Sequence, residues 1–382
     1  MALGSARLSI DSTRSILALN AGSSSLKFGL YLVGADTCEM LVSGAADVIA
    51  DECVAFAAKD SDGSVLANDR LAIGSPYAAI NRITELVTAQ HLRPIAAVGH
   101  RIVHGGRHCR HHAVIDAAVM QNMMDARVFA PLHVPPALLL LEYAQRQFPD
   151  VPQVACFDTT FHTTLPDVAR TLPIPKELRA LGIERYGFHG LSCESIVRQF
   201  GRDIPERLVI AHLGHGASVT AVAKGVSVDT SMGLTPSGGV IMSSRCGDID
   251  PGVLALLVRE KGYNAEDLEA LIDHRSGMVG ISGLSGDMRK LRSASGSNPD
   301  AALAIAMFCY SVRKQIAAMT AVLGGVDTLA FAGGIGENDA ITRGSICEGL
   351  EWLGLHAGKP GVRVVPADEN AQIAIHTGQL TR

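Results

Sequence analysis

Asn20-Ala-Gly-Ser-Ser-Ser-Leu-Lys27 gathers an amide, three hydroxyls and one ammonium into a single short stretch. An apolar run, Ser15 to Leu19, leads into it, and a second, Phe28 to Leu32, leads out. The pattern predicts strand, glycine turn, strand. It is not a Walker A loop, because Gly-x-x-x-x-Gly-Lys-Ser/Thr is missing. What remains is a hairpin tip offering backbone N–H groups and hydroxyls to a phosphate, with Lys27 as the positive charge. Asn20 can bind a phosphoryl oxygen or a hydrated Mg²⁺ without adding negative charge. A plain polar hairpin is the alternative.

The same object recurs downstream. Leu208 to Leu213 is apolar, Gly214-His-Gly216-Ala-Ser218 follows, and Val219 to Val222 continues. Thr328 to Ala332 predicts a further strand running into Gly333-Gly334-Ile-Gly336-Glu337-Asn338. Two like hairpins in different halves suggest internal duplication, although hairpins recur in any α/β protein. Helix starts are marked by an N-cap followed by Pro at the first helical position. Asp250-Pro251 opens one such segment to Lys261, and Asn298-Pro299 opens a longer one to Leu323, stopped by Gly324-Gly325. Strands alternating with helices predict an α/β fold.

At 382 residues the chain favours two domains over a single core. Its 47% hydrophobic and 19% charged residues suit a folded protein. A net charge of -5 gives no reason to expect nucleic acid or an anionic membrane as partner. Eight Cys lack Cys-x-x-Cys spacing, no sustained apolar segment of signal-peptide length precedes Asn20, and no run is long enough to span a bilayer. A reducing, cytoplasmic setting with free thiols is expected. Residues 1–14 read as a loose polar leader and are set aside.

From residue 16 to about 378 the chain resembles the acetate kinase family, within the superfamily of sugar kinases, heat-shock ATPases and actin. The resemblance rests on Asn20 to Lys27 and a long ordered series of further segments. These are Val98-Gly-His-Arg-Ile-Val-His-Gly-Gly106, Ala130-Pro-Leu-His133, Phe157-Asp-Thr159 with Phe161-His162, Arg185-Tyr-Gly-Phe-His-Gly190 and His212-Leu-Gly-His-Gly216. Then follow Thr230-Ser-Met-Gly233, Arg245-Cys-Gly-Asp-Ile-Asp-Pro251, Gly280-Ile-Ser-Gly283, Asp287-Met-Arg289 and Gly334-Ile-Gly-Glu-Asn338. The resemblance implies two duplicated ribonuclease-H-like (actin-like ATPase) α/β domains with an interdomain active-site cleft. Residues 1–158 plus 371–382 would form the acyl and phosphate side, and 159–370 the nucleotide side and dimer interface. It implies reversible, direct in-line phosphoryl transfer from ATP to acetate, giving acetyl phosphate and ADP. It further implies Mg²⁺ (with Mn²⁺ as a possible substitute) and a homodimer.

A carboxylate acceptor is already ionised at neutral pH and needs no general base. Its difficulty is approaching an anionic phosphate, so the site must screen like charges. Arg101 and Arg245 suit that task, since guanidinium binds oxyanions bidentately; a structural ion pair is the plain alternative for each. By resemblance Arg101 holds the carboxylate, Arg245 the transferring phosphoryl group, and His189 donates to that group in the transition state. His133 and His212 are second candidates near the phosphates. Asp158 and Glu369 are the matched acids, better suited to orienting Mg²⁺ than to acting as bases. Asn20 and Glu369 are the expected metal residues, with Asp368 an alternative to Glu369. Val103, Leu132, Phe188 and Pro236 match the pocket for the substrate methyl, and a β-branched Val103 favours acetate over propionate.

The nucleotide is expected at Lys27, at His212, Leu213, Gly214, His215 and Gly216, at Asp287, Met288 and Arg289, and at Gly334, Ile335, Gly336, Glu337 and Asn338. Arg289 could stack on adenine while Asp287 accepts from the base or ribose. His104, His108, His111 and His112 invite a zinc reading, but Gly105-Gly106 breaks any helix that would align them, and a solvated basic loop, or a loop near the active-site mouth, is expected. His215, Val134, Leu191, Cys193 and Ser237-Gly238 depart from the family pattern. His215 predicts a pH dependence near its ordinary pKa of about 6.5, or an altered phosphate donor. Propionate or butyrate kinase is the alternative within the class. A non-catalytic nucleotide-binding relative would leave the paired arginines unexplained, and a sugar kinase would be expected to carry Asp at position 20.

Overall fold

The computed structural model describes residues 13–22, 25–50, 53–72, 77–89, 93–131, 134–359 and 361–382. Leu132 and His133 lie outside the described residues, as does most of the leader. The chain divides into two compact units, Met1–Phe157 with Glu369–Arg382, and Asp158–Asp368.

The first unit carries an eight-stranded sheet. Its strands are β1 Arg14–Ala21, β2 Ser25–Val33, β3 Cys38–Ala50, β4 Cys53–Asp60, β5 Val65–Ala72, β6 Ala97–Ile102, β7 Ala113–Val114 and β8 Gln153–Phe157. Their order is β5-β4-β3-β2-β1-β6-β8-β7. β1 and β2 form the expected hairpin, with Asn20 opposite Lys27. β6 lies parallel to β1 on its other side and parallel to β8. Ile16 to Leu19 is buried throughout, as a central strand covered on both faces requires. The helix Glu369–Leu380 supplies one cover, burying Ile373, Ala374 and Thr377. A Cβ at Gly99 of β6 would strike Thr377 and Ile373, so the glycine is what lets this helix lie close to the sheet.

The second unit carries β9 Arg207–Leu213, β10 Ala217–Ala223, β11 Val226–Thr230, β12 Thr328–Ala332 and β13 Val362–Val364, in the order β11-β10-β9-β12-β13. β9, β10 and β11 run antiparallel in succession, whereas β12 is parallel to both β9 and β13. The five strands β3-β2-β1-β6-β8 of the first unit have the same order and the same directions. The duplication is thus one of whole-sheet topology, beyond two similar hairpins.

The helix starts read from sequence hold. Asn298 accepts from the N–H groups of Asp300 and Ala301 to cap Pro299–Leu323, which ends at Gly324 with φ 67°. Asp250 caps Pro251–Lys261. The glycine-rich segment after β12, Gly333–Asn338, is a short helix. Glu337 ties its start to a later segment, because its Oε1 accepts from Gly333 N at 2.9 Å and Ala367 N at 3.0 Å. Gly333 sits at φ 75°, and a Cβ there would lie 2.7 Å from the Leu213 carbonyl, so the backbones of β9 and this helix touch. Among the described residues, no helix is long and apolar enough to cross a membrane.

Candidate active site

In the first unit, residues far apart in sequence meet at the tip of the β1–β2 hairpin. Asn20 is buried, and its Nδ2 donates to Glu369 Oε2 at 2.8 Å. Glu369 is the first residue of its helix, where a carboxylate is favoured by the helix dipole. Arg101, near the end of β6, donates from a guanidinium nitrogen to the Ala21 carbonyl at 3.0 Å. Lys27 is exposed across the hairpin from Asn20. Gly22 N donates to Ser25 O at 2.7 Å and closes the turn. Val103 follows β6 and is 9% exposed.

The histidines after β6 serve the local backbone. His104 is buried, accepts at Nδ1 from Gly106 N at 2.8 Å, and stacks on Phe129. His112 accepts at Nδ1 from Phe157 N at 3.1 Å and packs against His376 at a centroid distance of 4.1 Å. His108 and His111 are exposed.

In the second unit the β9–β10 turn is the focus. Gly214 N donates to Gly216 O at 2.9 Å, tightening the turn. A Cβ on Gly216 would lie 3.2 Å from both a guanidinium nitrogen of Arg245 and Nε2 of His189. Those two cationic or donor groups therefore converge over one glycine. Arg245 also donates to the Pro236 carbonyl at 3.2 Å, which orients the guanidinium. His189 Nδ1 is 2.9 Å from Ser218 Oγ, and the ring stacks on His212 at 4.2 Å. Ser192 Oγ lies 2.8 Å from His212 Nδ1. Buried serines thus occupy Nδ1 of both imidazoles, and Nε2 of each faces the glycine turn.

His189 has φ 57°, a left-handed backbone that costs an ordinary residue about 1–2 kcal/mol. Asp158, buried just past β8, accepts from Gly190 N at 2.9 Å through its backbone carbonyl. Phe188 is buried.

The nucleotide-side segments are placed as follows. A Cβ on Gly214 would lie 3.7 Å from Gly334 N, so the hairpin turn adjoins the helix after β12. Ile335 and Gly336 continue that helix, and Asn338 Nδ2 donates back to Gly334 O at 3.0 Å. Asp287 caps Met288–Ala294 and is bound by its neighbour, with Arg289 nitrogens at 3.1 Å and 2.8 Å. The Arg289 side chain holds the Asp287 carboxyl down at about 2. Met288 is buried, so its side chain belongs to the core rather than to a ligand surface. Arg289 is exposed at a cavity of about 540 Å³ with Leu284, Ser285, Lys290 and Ser293.

The acetokinase family profile matches residues 15–377. The chain is 38% identical to an acetate kinase of Clostridium botulinum (strain Loch Maree / Type A3), over 96% of this chain and 99% of that one. This chain belongs to the acetokinase family. Among solved structures, it resembles a propionate kinase from Francisella tularensis with TM-score 0.87 and 33% identity, covering 96% of this chain and 100% of the other. The acetate kinase of Porphyromonas gingivalis gives 0.84 and 31%, covering 97% and 100%. Both likenesses place the fold with the two-sheet α/β architecture of these kinases.

Within this acetokinase, most of the unusual residues are packing positions. Leu191 and Cys193 are fully buried in the helix Gly190–Phe200, and Val134 is buried at the start of Val134–Gln147. Ser237 donates to Asp273. His215 differs, because it is exposed in the turn itself. Although its surface is largely open, desolvation by the atoms packed around the turn, and next the Arg245 guanidinium, push its pKa below the ordinary value. Any inflection due to His215 therefore moves to lower pH than the sequence alone suggests. The sequence reading named Ser218 only as part of the turn and missed Ser192. Small buried hydroxyls carry no local signal of what they touch.

Proposed function

We propose that this protein is an acetate kinase, catalysing reversible phosphoryl transfer between ATP and acetate. Family membership gives the reaction class. The observation that carries the mechanism is the convergence of Arg245 and His189 over Gly216. In the forward step an acetate oxygen attacks the γ-phosphorus. A new P–O bond forms, the β–γ bridging P–O bond breaks, and ADP takes the electron pair. The acceptor is already anionic, so no proton needs to be removed. Arg245 and the Nε2 face of His189 serve the negative charge spread over the phosphoryl oxygens. Arg101 is assigned to the acetate carboxylate and Val103 to the limit on acyl size. One extra methylene in such a pocket is worth only about 1–3 kcal/mol, so overlap with propionate is expected.

The nucleotide is assigned to Lys27, to the β9–β10 turn and to the Gly334–Asn338 helix, with Asp287 and Arg289 beside the base. Asn20 and Glu369 offer an amide and a carboxylate joined at one tip, a hard oxygen set that fits Mg²⁺. When bound, the ion would neutralise phosphate charge. Asp158 is assigned to the same task of ordering metal-bound water.

A homodimer is supported by the helix Pro251–Lys261, in which no residue is fully buried and Val253, Leu256 and Val258 are exposed. Sedimentation at the mass of a single 40.1 kDa chain would remove that reading. A cytoplasmic location is supported by Cys109, Cys246, Cys309 and Cys347, which are free thiols rather than members of disulfides. Labelling the protein in a periplasmic or secreted fraction would overturn it.

The test of the activity is a hydroxamate assay for acyl phosphate with acetate, propionate and butyrate side by side. Acetate should give the largest kcat/KM. No acyl phosphate from any of the three, with ATP still bound, would refute the proposal.

A further inference from the structure

We infer that His162 is a positioning residue for phosphoryl transfer, holding the backbone of His189 in the conformation that aims its ring at the phosphate turn. The inference rests on the role proposed above for His189.

His162 ends the short 3-10 turn Thr160–His162, five residues after the end of β8. It is buried, and both ring nitrogens are engaged. Nε2 lies 2.9 Å from the Phe188 carbonyl oxygen, and Nδ1 lies 2.9 Å from Ser227 Oγ. A carbonyl oxygen can only accept, so Nε2 carries the hydrogen. Burial keeps the ring neutral by lowering its pKa to about 4. Nδ1 is then the acceptor, and the buried Ser227 hydroxyl is its donor. The tautomer is thereby fixed by two neighbours.

The consequence falls on His189. Rotation about its N–Cα bond moves the peptide plane that contains the Phe188 carbonyl. Rotation about its Cα–C bond moves the plane that contains the Gly190 N–H. The first plane is held by the His162 ring and the second by the Asp158 carbonyl, at 2.9 Å each. Both soft dihedrals of His189 are therefore fixed from one five-residue stretch, 158–162. Gly187 belongs to the same device, since a Cβ there would lie 2.7 Å from the His162 ring. A residue held at φ 57° relaxes unless its surroundings constrain it. Here the constraint is a buried, neutral imidazole held between the Phe188 carbonyl and Ser227.

The experiment compares H162F and H162Q with the unaltered full-length chain, by hydroxamate kinetics and thermal unfolding. Phe keeps the aromatic volume and lacks the donor; Gln restores an N–H toward the Phe188 carbonyl. Expected for H162F is a kcat lowered roughly 10- to 100-fold, with KM for ATP and acetate within about threefold of the unaltered values. H162Q should recover most of the kcat. A folded H162F with unaltered kcat overturns the inference, and so does a loss that H162Q does not recover. If H162F fails to fold, H162Q decides: near-normal kcat supports the inference, and a folded H162Q at or below about a tenth of normal overturns it. An unaltered chain that makes no acyl phosphate defeats the acetate kinase reading, and this inference with it. An active unaltered chain with an indifferent H162F defeats this inference alone.

Discussion

Asn20 and Glu369 stand 349 positions apart in the sequence and meet through a 2.8 Å bond from Nδ2 to Oε2. The bond explains why an amide suits position 20. A second carboxylate would face Glu369 without a proton to share, whereas the amide donates to it and leaves its own oxygen for the cation proposed above. The same contact ties Glu369 to the hairpin tip.

Replacing Asn20 with Ala should weaken the hold on the metal rather than abolish the fold. The Mg²⁺ concentration giving half-maximal hydroxamate formation is expected to rise about tenfold or more, the usual cost of losing an orienting partner or ligand. An unchanged Mg²⁺ dependence would remove Asn20 from the metal site.

Gly216→Ala tests the convergence of Arg245 and His189. Gly216 is not among the glycines with left-handed φ, so alanine is tolerated by the backbone. Its methyl would press on both groups at 3.2 Å, tighter than ordinary contact. A fall in kcat of roughly 10- to 100-fold is expected. The thermal midpoint should move by only a few degrees, about what 1 kcal/mol produces in a protein of this size. A kcat equal to that of the unaltered enzyme would show that the two groups need not converge there.

Acid should destabilise both units. His100, bonded to Gln153 Oε1 at 2.7 Å, and His162 are buried, and burial lowers each pKa to about 4. In the unfolded chain each histidine takes its proton near pH 6.5, in the folded chain only near pH 4. Between those values the unfolded state binds more protons, so stability is full above about pH 6.5 and falls as pH drops toward 4. By about pH 5 the loss is of order 2 kcal/mol per histidine. Urea unfolding at about pH 7 and about pH 5 measures it, and equal midpoints would refute the argument.

The sequence makes the fold legible where local chemistry and packing agree. Asn298-Pro299 and Gly324 bound a helix by capping rules alone, and Thr328–Ala332 is a strand because it is apolar throughout. The Gly333–Asn338 helix is illegible locally. Its glycines give no helix signal, and the Glu337 contact that ties its start to a later segment reaches Ala367, thirty positions away. The site shows the same division. Arg245, His189 and Gly216 are named by motif, yet nothing in their spacing says that two groups converge on the third. His162 belonged to a matched segment without a role, because its partners Phe188 and Ser227 are distant in sequence. The histidine run after residue 103 dissolves into backbone caps and ring stacking once His104 and His112 are seen in place.

The helix Glu369–Leu380 has a consequence for how the chain is made. A ribosome finishes β1 and β6 early, then spends roughly 200 residues on the second unit before it reaches the helix that covers them. At about 5–20 residues per second, that sheet face waits on the order of 10 to 40 s for its cover. The inserted unit, continuous in sequence, is free to fold during the delay. A nascent or truncated chain that stops short of residue 369 has β1 in place and no carboxylate for Asn20. On the metal role proposed above for Asn20 and Glu369, that site is completed only when translation reaches the final helix.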